Sequence, residues 1–311
     1  MWRWRPTCPT CPLDEAWRKS TCATWAAKHT ARCLLPGRRA PLITPSQRTR
    51  RTRPVRNALT IAWRDLRSTF VSPIGYVVLT GFLLLAGWFF FNLLAQFNRI
   101  VALYSGMQGA DTTWMNLNDA IITPLLSNLS VVLVILVPMI TMRSFAEERS
   151  QGTYELLFTS PLKVHEIVLG KYLAGCAVVT LMIALTLVYP AILMIYGNPE
   201  VGLMTAGFLG LYLMALGFVA VGNFCSALTS NQIVAAISAL VILLLLFVIS
   251  WPAENAGEPM KAILLYVSVT EHFRNMARGV IDTTDLVYFG SAIGAFLFLT
   301  HRAVESARWK A

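Results

Sequence analysis

Six long apolar runs, none with an ionisable side chain in its core, constrain this chain more than any other feature. About 20 residues cross a hydrocarbon layer of roughly 30 Å at the helical rise per residue. The runs predict spans at Ile74–Phe97, Pro124–Thr141, Tyr172–Tyr196, Leu203–Leu228, Ile233–Trp251 and Leu286–Thr300. Only 14% of the 311 residues are charged and the mean hydropathy is +0.58, where a soluble domain has about one quarter charged. The expected fold class is an all-α integral membrane protein with six transmembrane helices.

The net charge of +10 is unevenly placed. Residues 1–56 carry +11, from 13 Lys/Arg against Asp14 and Glu15, and the other 255 residues carry −1. Residues 1–56 are rich in Arg, Pro and Thr, show no period and lack the apolar core of a signal peptide. They read as a basic disordered extension. The Cys8-x-x-Cys11 pair has neither the onward spacing nor the framework of a zinc knuckle, so no metal site is expected. Composition changes abruptly at Arg56, which places the expected natural start near Val55, where a GTG start would read internally as Val. N-terminal sequencing of the native protein that returned Met1 would overturn this.

Residues 57–73 predict an interfacial amphipathic helix. Leu59, Ala62, Trp63, Leu66 and Phe70 recur on one face and Arg64, Asp65, Arg67 and Ser68 on the other. Residues 74–302 hold the six spans, and 303–311 form a short tail. With both termini in the cytoplasm, that side has nine Lys/Arg beyond residue 56 and the outer side has Arg99, Lys261, Arg274 and Arg278. Gly207, Gly210, Gly217 and Gly222 in span 4, and Gly290 and Gly294 in span 6, are candidate helix-packing positions. Pro190 predicts a kink in span 3. Ile263–Ile281 predicts one short extracytoplasmic helix before span 6, with Phe273, Met276, Ala277 and Val280 on one face.

Candidate chemistry is sparse. The spans lack the acidic or histidine groups that ion-coupled carriers place at membrane depth. The chain has no Gly-x-x-x-x-Gly-Lys-Ser/Thr phosphate loop, no His-Glu-x-x-His and no Gly-x-Ser-x-Gly. Its four histidines are scattered and read as surface or interface residues. No catalytic, cofactor or metal residue is expected.

One densely charged hairpin remains, Met142 to Tyr172, between spans 2 and 3. The spacing of Arg143 and Glu147 predicts a helical continuation of span 2, ended by Gly152. Thr153 caps a second short helix with Glu155 in its first turn. Leu156, Leu157 and Phe158 then form an apolar knob in a wet region, which needs a membrane surface or a partner's groove to cover it.

The stretch Ile140-Thr-Met-Arg-Ser-Phe-Ala-Glu-Glu-Arg-Ser-Gln-Gly-Thr-Tyr-Glu-Leu-Leu-Phe-Thr-Ser-Pro-Leu, continuing to Ile167-Val-Leu-Gly-Lys-Tyr, resembles permease subunits of type-2 ABC exporters. The gliding-motility-associated branch is most similar. Ser72-Pro-Ile-Gly-Tyr-Val-Val, Ser226-Ala-Leu-Thr-Ser-Asn-Gln-Ile-Val and His272-Phe…Arg278-Gly-Val-Ile-Asp…Tyr288-Phe carry the same resemblance. It covers about residues 57–302. It implies a permease paired with a second copy or a related chain in a bacterial inner membrane. Two separate ATPase subunits would bind ATP and magnesium. The 2–3 hairpin would be the coupling helix in the ATPase groove. The implied contacts are Glu147, Glu148, Arg149, Thr153 and Tyr154, followed by Glu155, Leu156, Leu157 and Phe158. The alternative is a non-transporting anchor of a motility or envelope complex.

Overall fold

The structure is a computed structural model that describes residues 54–105, 118–152, 163–196, 200–255 and 257–308. The chain divides at Arg51/Thr52, and all described residues belong to the second unit. Every regular element among them is helical. Helix α1 is Pro54–Val71 and α2 is Pro73–Ser105. A π-turn, Asn118–Ile122, leads into α3, Thr123–Thr141, and then α4, Arg143–Ser150. Helix α5 is Val164–Thr186, α6 is Val188–Tyr196 and α7 is Val201–Leu228. Then come α8, Gln232–Val248, α9, Glu258–Val267, α10, Val269–Ala277, and α11, Thr283–Arg308.

Five segments are long and apolar enough to cross a membrane: Pro73–Leu103, Ala120–Ser150, Val164–Ile195, Val201–Leu228 and Thr283–Ala307. The expected fifth span, Ile233–Trp251, corresponds to α8, whose 17 residues make it shorter than these. Helix α7 is the central one. Its apolar window is 67% buried, against 22% for α2 and 17% for α11, which keep broad apolar faces uncovered. Phe82, Phe90, Leu126, Leu133 and Met182 belong with Phe218 of α7 to one buried apolar cluster.

Helix breaks follow local chemistry. Pro190 has no N–H for the Thr186 carbonyl, and the span divides at Leu187 into α5 and α6. The single helix expected over Ile263–Ile281 is instead two, α9 and α10, because Ser268 caps a new start. Its hydroxyl accepts from the Glu271 N–H, the Ser-x-x-Glu signature of a helix N-terminus. Gly279, at φ +85°, ends α10 and leaves Val280 exposed, while Phe273, Met276 and Ala277 are buried. Asp282 starts α11: the Thr284 N–H donates to its Oδ1 at 3.2 Å, which holds its carboxyl below the ordinary range.

His272 is a buried residue, not a surface one. Its Nδ1 lies 2.6 Å from Asp285 Oδ1 and its Nε2 lies 3.1 Å from the Tyr266 carbonyl. Its ring stacks on Tyr288. Both ring nitrogens face oxygen atoms of neighbouring residues, and the contact ties α10 to α11.

Small residues set the closest helix approaches. A Cβ on Gly207 would meet Leu126 at 2.5 Å and one on Gly210 would meet Met276 at 2.7 Å. On Gly222 it would lie 2.0 Å from Thr141 Oγ1. Gly217, Gly290 and Gly294 have open space at this position. Gly222→Ala is therefore expected to destabilise the α3–α7 contact by about 1–3 kcal/mol. Gly217→Ala should leave the melting temperature in detergent unchanged or raised. Equal melting of both variants would contradict this packing.

Candidate functional site

The described arm of the hairpin is α4, and it is bound into the bundle at both ends. At its start, Ser226 of α7 accepts from the Phe145 and Ala146 N–H groups at 3.0 and 3.1 Å and donates to the Met142 carbonyl at 3.0 Å. One hydroxyl thus satisfies two of the N–H groups that a new helix leaves open. Phe145 and Ala146 are fully buried beneath it. Gly152, at φ +69°, ends the arm, a conformation that costs glycine no strain.

A knot of charges joins α4 to α1 and α5. Lys171 of α5, with a side chain only 2% exposed, places Nζ 3.1 Å from Asp65 Oδ2 and 3.0 Å from Glu148 Oε1. It also donates to the Ser144 carbonyl. These three partners match the three donors of an ammonium. The ammonium also lies 5.1 Å from the Phe145 ring centre, a cation–π contact. Arg64 bridges the same two acids, to Asp65 Oδ1 at 3.2 Å and Glu148 Oε1 at 3.0 Å. Arg143 grips Glu147 with two donors at 3.0 and 3.1 Å and donates to Ser72 Oγ at 2.7 Å.

Helix α1 lies close along α5 because Gly170 lets it. A Cβ there would fall 2.8 Å from Ile61 Cβ and 2.9 Å from the Ala58 carbonyl oxygen. Asn57 adds a hydrogen bond of 3.1 Å to the buried Glu166, whose carboxylate sits in the first turn of α5, where the helix dipole favours it. The face of α1 that packs on α5 carries Ala58, Ile61 and Ala62. Ala62 belongs to the apolar face expected from sequence, but Leu59 and Trp63 of that face are exposed, Trp63 by 70%. The close approach selects small residues, so the bulky ones lie on the adjoining side.

Of the residues expected in the hairpin contact, Glu147 and Glu148 enter the ionic knot and Arg149 lies on α4, half-buried. Thr153, Tyr154, Glu155, Leu156, Leu157 and Phe158 lie outside the described residues. Sequence reasoning noted Lys171 and Asp65 only as charges and Ser226 only within a resembling motif. The available signal was a lysine one residue ahead of an apolar run, where a charge must find partners. Among the described residues, no group of three His, Cys, Asp or Glu could hold a metal ion.

A family model described as ABC-2 family transporter protein matches residues 99–299, more than half of the chain. The chain belongs to this family: it is a multi-pass membrane protein of the ABC permease type. No curated protein matches it.

Removing one partner from a buried ion pair costs about 3–5 kcal/mol, because the other charge is left uncompensated. Lys171→Met is expected to destabilise the purified protein by that order, read from thermal unfolding in detergent. Adding Asp65→Asn should recover part of the loss. A Lys171→Met variant as stable as the parent would show that the knot is not structural.

Proposed function

We propose that this chain is the membrane-spanning subunit of an ATP-driven exporter, with α8 as the sixth span. At 17 residues α8 reaches about 25 Å, the lower limit for crossing a bilayer. The excess of Lys/Arg supports a cytoplasmic side for the hairpin and both termini, and the resemblance supports a bacterial inner membrane. ATP and magnesium are bound by two copies of a separate ATPase, since the chain has no phosphate loop. A second permease, identical or related, completes the path. The resemblance to the gliding-motility branch remains a proposal of lineage.

One observation carries the reading. The hairpin's first arm is tied to α1 and α5 by buried charges and to α7 by Ser226. A pull on the hairpin is therefore transmitted to α1 and α5 together, because breaking the knot would strand buried charge, and to α7 through Ser226. The knob Leu156, Leu157 and Phe158 supplies the apolar anchor for the ATPase groove, with Glu147, Glu148, Arg149, Thr153, Tyr154 and Glu155 around it.

Leu157→Asp tests the docking. The expected outcome is normal membrane insertion, at least tenfold less co-purified ATPase, and no ATP-dependent transport in liposomes; tenfold corresponds to about 1.4 kcal/mol of lost binding. Undiminished ATPase binding would refute the docking. Binding and hydrolysis with no substrate that moves or stimulates turnover would favour the anchor role.

A further inference from the structure

Beside the ionic knot lies a cavity of about 410 Å³, bordered by α1, the start of α2, the end of α3, α4 and α5. That volume suits a small ligand. One side of it is polar, with Arg64, Arg143 and Lys171 beside Asp65, Glu147 and Glu148. The other is apolar, with Ile74, Val78, Met139, Ile140 and Val178.

The charges on the polar side are already matched. Arg64, Arg143 and Lys171 face Asp65, Glu147 and Glu148, and the Lys171 ammonium has a partner for each of its three donors. Two neutral groups are unmatched. Asn223 of α7 lines the cavity at 2% exposure, and its Nδ2 has no hydrogen-bond partner among the described residues. Ser144 Oγ lines the same cavity and likewise has none. A buried polar atom without a partner is rare in a folded protein and calls for one. An amide N–H donates, so the partner it lacks is an acceptor atom. Asn223 is a buried amide in a largely apolar helix.

The apolar side extends to the surface. Ile74 and Met139 are exposed apolar residues on α2 and α3, two of the membrane-crossing segments. A ligand that fits both sides has an oxygen-bearing head and an apolar chain. We propose that this cavity binds an amphiphile with an ester or phosphoester head, a phospholipid of the leaflet at the hairpin end. The head oxygens accept from Asn223 Nδ2 and Ser144 Oγ. The chain runs past Val78, Ile140 and Val178 and leaves between Ile74 and Met139. The site does not depend on the ATPase docking proposed above, and its test uses the permease alone.

The test is thermal unfolding of delipidated permease in one detergent, titrated with dihexanoyl phosphatidylglycerol, dihexanoyl phosphatidylcholine or inorganic phosphate. Saturable stabilisation of the wild type by the short-chain phospholipids is expected. Asn223→Leu and Ser144→Ala should each weaken the apparent affinity about fivefold, the loss of one neutral hydrogen bond. Without lipid, Asn223→Leu should melt no lower than wild type, since it removes an unpartnered amide. Ser144→Ala deletes a single unpartnered oxygen and keeps the test decidable if the leucine variant fails to fold. Equal phospholipid titrations in wild type and variants would overturn the site. A saturable response to inorganic phosphate alone would replace the amphiphile by a free anion.

Discussion

The buried ammonium of Lys171 is the constraint on which the hairpin end of this bundle depends. A charge taken out of water must be answered locally, and here the answer comes from two other helices: Asp65 on α1 and Glu148 on α4. That requirement fixes the position of α1 against α5 and of α4 against both. Gly170 allows the contact, and Glu166, held by Asn57, adds a second polar tie. Apolar packing alone would not specify such an arrangement in lipid, where the solvent is as apolar as the side chains.

Ser226 solves a different problem at the same place. Where α3 gives way to α4 at Met142, the new helix starts with open N–H groups inside the protein. The Ser226 hydroxyl accepts from two of them and returns a hydrogen bond to the Met142 carbonyl. The end of the central helix α7 is thereby joined to the start of the hairpin. An ABC-2 permease built in this way has its charged arm continuous with its core, although the arm itself is largely polar.

Much of the fold was legible in sequence, because length and apolar composition almost determine a membrane helix. The segments at 73–103, 120–150, 164–195, 201–228 and 283–307 contain five of the expected spans, most with extra turns. The turns after span 2 were legible from the Arg143–Glu147 spacing, whereas the partners that Glu166 and Lys171 find on α1 and α4 were not. The two-helix form of 258–277 was also missed, although Ser268 and Glu271 have the spacing of a cap. The site was less legible. Arg143 and Glu147 are a local pair and could be read, whereas Lys171 with Asp65 joins residues 106 apart in sequence. Periodicity likewise suggested one apolar face for α1, but the proximity of Gly170 chose its neighbour, with Ala58 and Ile61.

The central claim is that α1 and the hairpin arm move as one body. Cysteines at positions 68 and 151, which line one cavity on α1 and at the end of α4 without belonging to the Lys171 knot, bridged by a short bis-maleimide in the ATPase complex reconstituted in liposomes, test it most directly. The account predicts that the bridged complex retains most of its ATP-dependent transport, because the link joins parts that already travel together. Transport abolished by the bridge and restored when only one cysteine is modified would contradict it, since α1 and the arm would then have to separate in each cycle.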